Sequence, residues 1–345
     1  MVLVVWSRFL FNTEKTLDVN WELNNICNLM CPQCVRNEIV DGKIQWKIDR
    51  LNTIDTNLMT FKVAYNNIKH PIRVIRFSGN VSEPLASKEF LEICKWIRYD
   101  TDSSVQVHTN GSIRTPEYWK KLGKLFSEDK RSMVFFSIDG VGNKSLQNYR
   151  VGADFNKIME NAKAFIDAGG KAMWRMIIFK HNQHQIEDAR ALAEDMGFWQ
   201  FITVDTNRKK NMDQMWVHRG KSGILESMEK RRTSNIPDTY NITCRYQEKN
   251  IFYVDFLKRV WPCCYIPNKF KNGKEQMWYK EYNEDKTNSL VHKTFDEIMK
   301  NEFYEQLQSS WGDDSCLTDC KKFCSQVGRV RKSYWDASEL QEKYV

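Results

Sequence analysis

The sequence predicts an α/β protein built on six parallel strands, followed by a smaller cysteine-rich region. Three observations carry that expectation. Over the first two hundred residues, short runs rich in Val, Ile, Phe and Trp alternate with amphipathic helical patterns. Each run ends in a polar cluster, and a parallel sheet brings all such ends to one rim. From about residue 206 the alternation is lost, and six of the ten cysteines fall past residue 243.

The expected strands are 17–23, 72–78, 104–109, 133–139, 172–179 and 200–204. Between the fourth and fifth, Phe155, Ile158, Met159, Ala162, Phe165 and Ile166 form one apolar helical stripe, closed by Gly169 and Gly170. Ile186, Ala189, Ala193 and Met196 repeat the pattern and stop at Gly197. Thr115–Pro116 reads as a helix N-cap with proline at the first helical position. Cys94, at helical spacing among apolar neighbours, reads as a core residue. Strand–helix repetition implies right-handed crossovers between parallel strands. The polar ends are then Cys27–Cys34, Ser78–Glu83, Thr109–Gly111, Ser137 with Asp139, His181–Asn182 and Asp205–Asn207.

A chain of 345 residues is long enough for one large domain or two smaller ones. Its net charge of +8 is uneven, with eight Lys/Arg against three Asp/Glu in residues 207–232. That stretch suits a solvated basic loop, a contact for an acidic or phosphorylated substrate, or a nucleic-acid contact. No apolar run is long enough to span a bilayer, and the first residues lack the features of a signal peptide. Ten cysteines without a secretion signal point to a reducing, cytoplasmic setting and to metal or redox chemistry.

CNLMCPQC (27–34) gathers Cys27, Cys31 and Cys34 with no fourth cysteine nearby. A closed zinc site takes four ligands and a disulfide framework an even number. Three thiolates on a four-iron cluster leave one iron open to a small chelate, such as the amine and carboxylate of an amino acid. A zinc ion completed by a distant ligand is the alternative.

With C-x3-C-x2-C following the first strand, residues 17–204 resemble the radical S-adenosylmethionine (radical SAM) superfamily. The resemblance implies a partial (β/α)6 TIM-like barrel, with Cys27, Cys31 and Cys34 holding a [4Fe–4S] cluster that binds S-adenosylmethionine. SGNVSEPL (78–85) looks like the family's Gly-Gly-Glu-Pro segment, implying that Ser78, Gly79, Asn80 and Glu83 meet the methionyl ammonium; Asn80 and an inserted pair depart from the simplest form. By the same resemblance Asn110, Ser137 and Asp139 contact the cofactor, Arg150 its carboxylate, and Asn182 the adenine side. Read without the resemblance, Glu83 suits a helix start, Ser137 and Asp139 a turn, and Asn110 and Asn182 turns or caps.

Residues 244–345 resemble the SPASM or twitch extension, a small cysteine-rich α+β auxiliary-cluster domain. The resemblance implies one auxiliary [4Fe–4S] cluster held by Cys244, Cys263 and Cys324 with Cys316 or Cys320, Cys264 being spare. A structural zinc site is the alternative. Lys258 stands where the family's hairpin has a glycine, the residue that adopts positive φ without strain. The domains expected are thus a lead-in (1–16), the barrel (17–205), a basic connector (206–243) and the auxiliary region (244–345).

The implied activity is reductive cleavage of S-adenosylmethionine and hydrogen abstraction from a substrate, with a flavodoxin- or ferredoxin-like electron donor. The family suggests a peptide that is oxidised, cross-linked or epimerised. Only about sixteen residues precede the first strand, so a separate recognition protein is expected. A sugar-like or phosphorylated metabolite is the second reading. A non-catalytic iron–sulfur or zinc protein binding nucleic acid is a third; it has no need of Glu83, Ser137 and Asp139 at one rim.

Overall fold

The computed structural model describes residues 11–12, 14–41, 43–46, 52–204, 242–269, 288–312 and 315–325. The basic stretch at 207–232, the polar run Asp205–Asn207 and the first ten positions lie outside the described residues.

All six expected strands form. The first, β1 (Leu17–Trp21), is followed by a short antiparallel hairpin, β2 (Asn37–Val40) and β3 (Lys43–Trp46), which the sequence reading did not include. The barrel continues with β4 (Ile72–Ser78), β5 (Ser104–Thr109), β6 (Met133–Ser137), β7 (Ala172–Ile177) and β8 (Gln200–Val204). The hairpin β9 (Ile251–Val254) and β10 (Val260–Trp261) completes the set. One open sheet runs β10-β9-β1-β4-β5-β6-β7-β8, parallel throughout except between β9 and β10. It is the expected partial barrel, extended at β1 by a strand more than two hundred residues away. Strands β1, β6 and β7 end two residues sooner than their sequence runs suggest. There the chain leaves the ladder to place Glu22, Asp139 and the turn at Asn182.

Helices α1 (Leu58–Asn66), α2 (Phe90–Asp100), α3 (Pro116–Ser127), the short α4 (Asn143–Leu146), α5 (Phe155–Asp167) and α6 (Ile186–Asp195) belong to the barrel crossovers. On α5, Asp154 caps the N-terminus by accepting from Asn156 N–H at 3.0 Å, and the chain turns out at Gly169, φ +89°. Phe155, Ile158, Ala162 and Phe165 are buried as their spacing requires. Thr115 does sit at the N-cap of α3 ahead of Pro116, but its side chain makes no capping hydrogen bond. Cys94 is fully buried on α2.

The two faces of the sheet differ. Leu17, Val19, Trp21, Phe77, Val107, Phe136 and Trp174 pack in the main core with helix residues. The alternate residues Asp18, Asn20, Glu22, Arg76 and Gln106 are buried and polar, and Met133, Phe135 and Met173 form a separate apolar cluster with Ile202. Arg76 pairs with Asp18 at 2.7 Å and donates to Gln106 at 3.0 Å. Glu22 joins three parts of the molecule. It accepts from Val81 N–H (2.7 Å), from the Ser82 hydroxyl (2.9 Å) and from the Tyr253 hydroxyl on β9.

Burial raises the Glu22 carboxyl from 4.5 to about 7, with hydrogen bonds from Tyr253, Val81 and Ser82 opposing. Because the folded protein holds this proton more tightly than the unfolded chain, the associated stability is full below the unfolded value and is lost as pH rises through about 7. Thermal melts should therefore show the wild type losing up to about 3 kcal/mol between pH 4.5 and 8 relative to Glu22→Gln, which mimics the protonated acid. Parallel profiles for the two proteins would refute the assignment.

Candidate active site at the barrel rim

The loop after β1 carries Cys27, Cys31 and Cys34; Cys31 is buried and the other two are half-buried. Local bonds fold it. Cys34 N–H donates to Cys31 O (3.1 Å), the Asn37 amide donates to Cys31 O (2.8 Å), and Leu29 N–H points at Cys27 Sγ (3.5 Å). Longer-range bonds tie it to the other rim loops. Glu83 N–H donates to Ile26 O (2.7 Å), Met30 N–H to Val151 O (3.0 Å) and the Asn28 amide to Ser112 Oγ (2.8 Å). The buried Arg36 guanidinium donates to the carbonyls of Asn25 and Val81. The turns after β4, β5 and β6 are thus laced to one cysteine loop.

Glu83 is 3% exposed. Its carboxylate accepts from Thr109 Oγ1 (2.6 Å), Asn110 N–H (2.8 Å) and Leu85 N–H (3.3 Å). Burial raises its pKa, against these bonds and the more distant Arg150. Burial and then the Glu83 charge push the Cys27 thiol up to about 12; Leu29 N–H opposes, and Cys31 and Cys34 add to the shift. A thiolate here needs a cation to balance it.

Asp139, fully buried, accepts from Arg150 Nε (2.7 Å) and Ile177 N–H (2.6 Å). Burial works against the Arg150 charge, but Asp139 and Cys31 more than offset it and raise its pKa. Ser137, half-buried, ends β6 beside this pair. The Asn110 amide donates to Asn28 Oδ1 (2.9 Å), and its oxygen accepts from Ser112 N–H (2.9 Å) and Oγ (2.7 Å). Asn182 is fully buried in its own turn, donating to Asp139 O and Ile177 O and accepting from Phe179 N–H. Ser78 ends β4, and Gly79 follows where a Cβ would lie 1.9 Å from Ser82 O, so only glycine fits. The Asn80 amide turns to the second cysteine region, donating to Cys264 O (2.8 Å).

That region forms a second concave site. Cys244, Cys263, Cys320 and Cys324 line one cavity, together with Tyr246 and Trp311. Cys244 precedes α7 (Arg245–Glu248) and Cys263 follows β10; α8 (Phe295–Met299) and α9 (Glu302–Ser309) lead to α10 (Thr318–Cys324), which ends in Cys324. Cys244 shares a hydrogen bond with Cys324, and Cys320 with the buried Cys316. The Cys244 bond lowers the Cys324 thiol to about 7, despite burial. Cys264 faces elsewhere, its Sγ 3.0 Å from Tyr246 Oη.

Among the described residues, no three of His, Cys, Asp and Glu gather around one point as a single ion requires. A four-iron cluster binds each thiolate through a different iron, so its ligands stand farther apart. A loop offering three soft donors, beside a buried carboxylate, fits such a cluster with one open iron. Sequence reasoning missed Glu22 and Arg36 as rim supports; it placed Thr109 at the rim but not its bond to Glu83. The signal for Glu22 was present in LDVNWEL, where Asp18, Asn20 and Glu22 alternate with apolar residues. Arg36 had none.

The Radical SAM superfamily profile matches residues 21–193. The 7,8-dihydro-6-hydroxymethylpterin dimethyltransferase of Methanocaldococcus jannaschii is 28% identical over 160 residues, 44% of this chain and 28% of that protein. The chain therefore spans well under a third of that relative. SuiB of Streptococcus suis bound to its precursor peptide SuiA superposes with a TM-score of 0.56 at 12% identity, over 85% of this chain and 67% of SuiB. A histidine-tagged form of anSMEcpe with bound AdoMet gives 0.53 at 15% identity, over 84% and 79%. At such identities the two structures speak for the fold, whereas the profile spans half of the chain and covers the cysteine loop and every rim turn up to α6. The chain belongs to the radical SAM superfamily, enzymes that work with a [4Fe–4S] cluster and S-adenosylmethionine.

Proposed function

We propose that this enzyme uses S-adenosylmethionine bound at the rim to abstract hydrogen from a peptide, with a second iron–sulfur cluster in the C-terminal cavity. One observation carries the reading: the Glu83 carboxylate is buried beside Cys27 and, among the described residues, held only by neutral donors. A carboxylate offers about four acceptor positions, and three are filled. A buried charge of this kind calls for a cation, and the ammonium of an amino acid chelated at the open iron supplies one.

Cys27, Cys31 and Cys34 would hold the cluster, and the turn at Ser78, Gly79 and Asn80 would lie along the methionyl end. Arg150 engages Asp139 through Nε, leaving its Nη groups for the methionyl carboxylate. Ser137 and Asp139 would border the ribose; Asn110 and Asn182 would shape the loops around the nucleotide. The bound cluster and cofactor supply one-electron cleavage of the sulfonium, leading to hydrogen abstraction. The protein fixes the geometry and excludes water.

For the second centre we assign Cys244, Cys263, Cys320 and Cys324, because these four line one cavity. Cys316 is a neighbour of Cys320 rather than a lining residue. This cavity supports a SPASM-like or twitch-like reading of residues 244–345. Similarity of fold to SuiB, seen with its precursor peptide, supports a peptide substrate. Sequence similarity to the pterin dimethyltransferase favours a second reading, a small metabolite.

Anaerobically reconstituted and reduced protein should convert S-adenosylmethionine to 5′-deoxyadenosine, and Cys27→Ala should not. Glu83→Gln should keep its iron while its Kd for S-adenosylmethionine rises about 10- to 100-fold, the worth of a charge-assisted hydrogen bond. Equal turnover by Cys27→Ala would end the proposal. Incorporation of deuterium from labelled peptide or labelled metabolite into 5′-deoxyadenosine separates the two substrate readings. For the second centre, the wild type should hold about eight iron atoms per chain, Cys320→Ala about four and Cys316→Ala about eight. The reverse pattern would give Cys316 the ligand role.

A further inference from the structure

The two cysteine sites meet at a single residue. Cys34 Sγ lies 4.0 Å from the carbonyl oxygen of Asn80. The amide of that same residue donates at 2.8 Å to the carbonyl of Cys264. Cys264 is bonded in the chain to Cys263, which lines the second cavity. One residue therefore touches a ligand-bearing thiol with its main chain and the other ligand-bearing loop with its side chain.

The surroundings hold this bridge still. Gly79 packs so tightly on Ser82 that no Cβ fits. Glu22 clamps the next two residues, Val81 and Ser82, and ties them to Tyr253 of β9. On the far side, Cys264 Sγ meets Tyr246 Oη at 3.0 Å, Tyr246 lines the second cavity, and the Asn20 amide approaches Tyr246 Oη at 3.5 Å. Several hydrogen bonds converging on one buried turn resist its displacement. Electron tunnelling is faster through bonds and hydrogen bonds than through gaps of the same length, and Asn80 shortens the gap between the two loops: its amide is hydrogen-bonded to the Cys264 carbonyl, and its own carbonyl lies in 4.0 Å contact with Cys34 Sγ.

We propose that Asn80 is a positioning residue for electron exchange between the two centres, its amide fixing the Cys263–Cys264 loop against the loop of Cys34. The proposal rests on the two-cluster reading above. In the step, one electron leaves one reduced [4Fe–4S] cluster, which becomes oxidised, and enters the other oxidised cluster, which becomes reduced. No bond breaks and no proton moves.

The test is flash photoreduction of the fully reconstituted protein with a deazaflavin, following by freeze-quench electron paramagnetic resonance how fast the injected electron distributes between the two signals. Asn80→Leu keeps size and neutrality but loses the donor; Asn80→Gln keeps the amide. The expected result is redistribution at least about tenfold slower in Asn80→Leu, with partial recovery in Asn80→Gln, while iron content and both midpoint potentials stay near wild type. Unchanged kinetics in Asn80→Leu at full iron content would overturn the proposal. So would slowing that tracks lost iron or a shifted potential in both variants, since that marks a structural role. A wild type with only one cluster signal would instead refute the two-cluster reading, an outcome visible before any variant is compared.

Discussion

A carboxylate buried without an ion pair among the described residues sets the chemistry of the rim. Glu83 is kept out of water, bound by one hydroxyl and two backbone N–H groups. Its main chain is bound to the cysteine loop through Ile26 O, so the carboxylate cannot move away from Cys27 without breaking the loop's fold. Burial, and after it the Glu83 charge, raise the Cys27 thiol where three thiols already crowd. A site of this kind is unfavourable alone and becomes favourable when it receives cationic groups. An iron–sulfur cluster and an ammonium are such groups, and they would stand next to each other.

Glu22 plays the complementary part on the other side of the same loop. Where Glu83 gathers donors from β5, Glu22 gathers them from the 81–82 turn and from β9. The turn between β4 and its helix is thereby held from both ends, by one carboxylate beside the first cysteine site and another tied to β9. This arrangement depends on β9 lying beside β1, which is why the extension of the sheet belongs to the function and not only to the core.

Much of this was legible in the sequence, for reasons that are local. Strand runs and helical stripes announce themselves within ten residues, and the polar strand ends need only the rule that parallel strands share a rim. Gly79, the cysteine loop and the cavity cysteines were visible as residue types. The β9–β1 pairing was not, because no local pattern encodes a partner more than two hundred residues away. Nor was the role of Asn80, whose departure from the family segment suggests by itself only a loosened cofactor contact. That Cys320 lines the cavity and Cys316 does not depends on which face of α10 is turned to it. The two sit four residues apart across the start of that helix, so spacing leaves the choice open.

The turn of the β9–β10 hairpin shows how the chain can dispense with a glycine. Lys258 adopts φ +62°, the left-handed conformation for which glycine is the usual residue. The cost for an ordinary side chain is of order 1–2 kcal/mol. Asp255 offsets it: its carboxylate accepts from Leu257 N–H (2.9 Å), Arg259 N–H (3.0 Å), Arg259 Nε (2.8 Å) and Trp261 Nε1 (2.9 Å), while its carbonyl accepts from Lys258 N–H (2.7 Å). One acidic side chain thus collects the donors of the whole turn and locks the lysine into a conformation it would not choose. Trp261 and its bond to Asp255 lie two residues before Cys263, so the same carboxylate that closes the hairpin also fixes the strand from which the second cysteine site is reached.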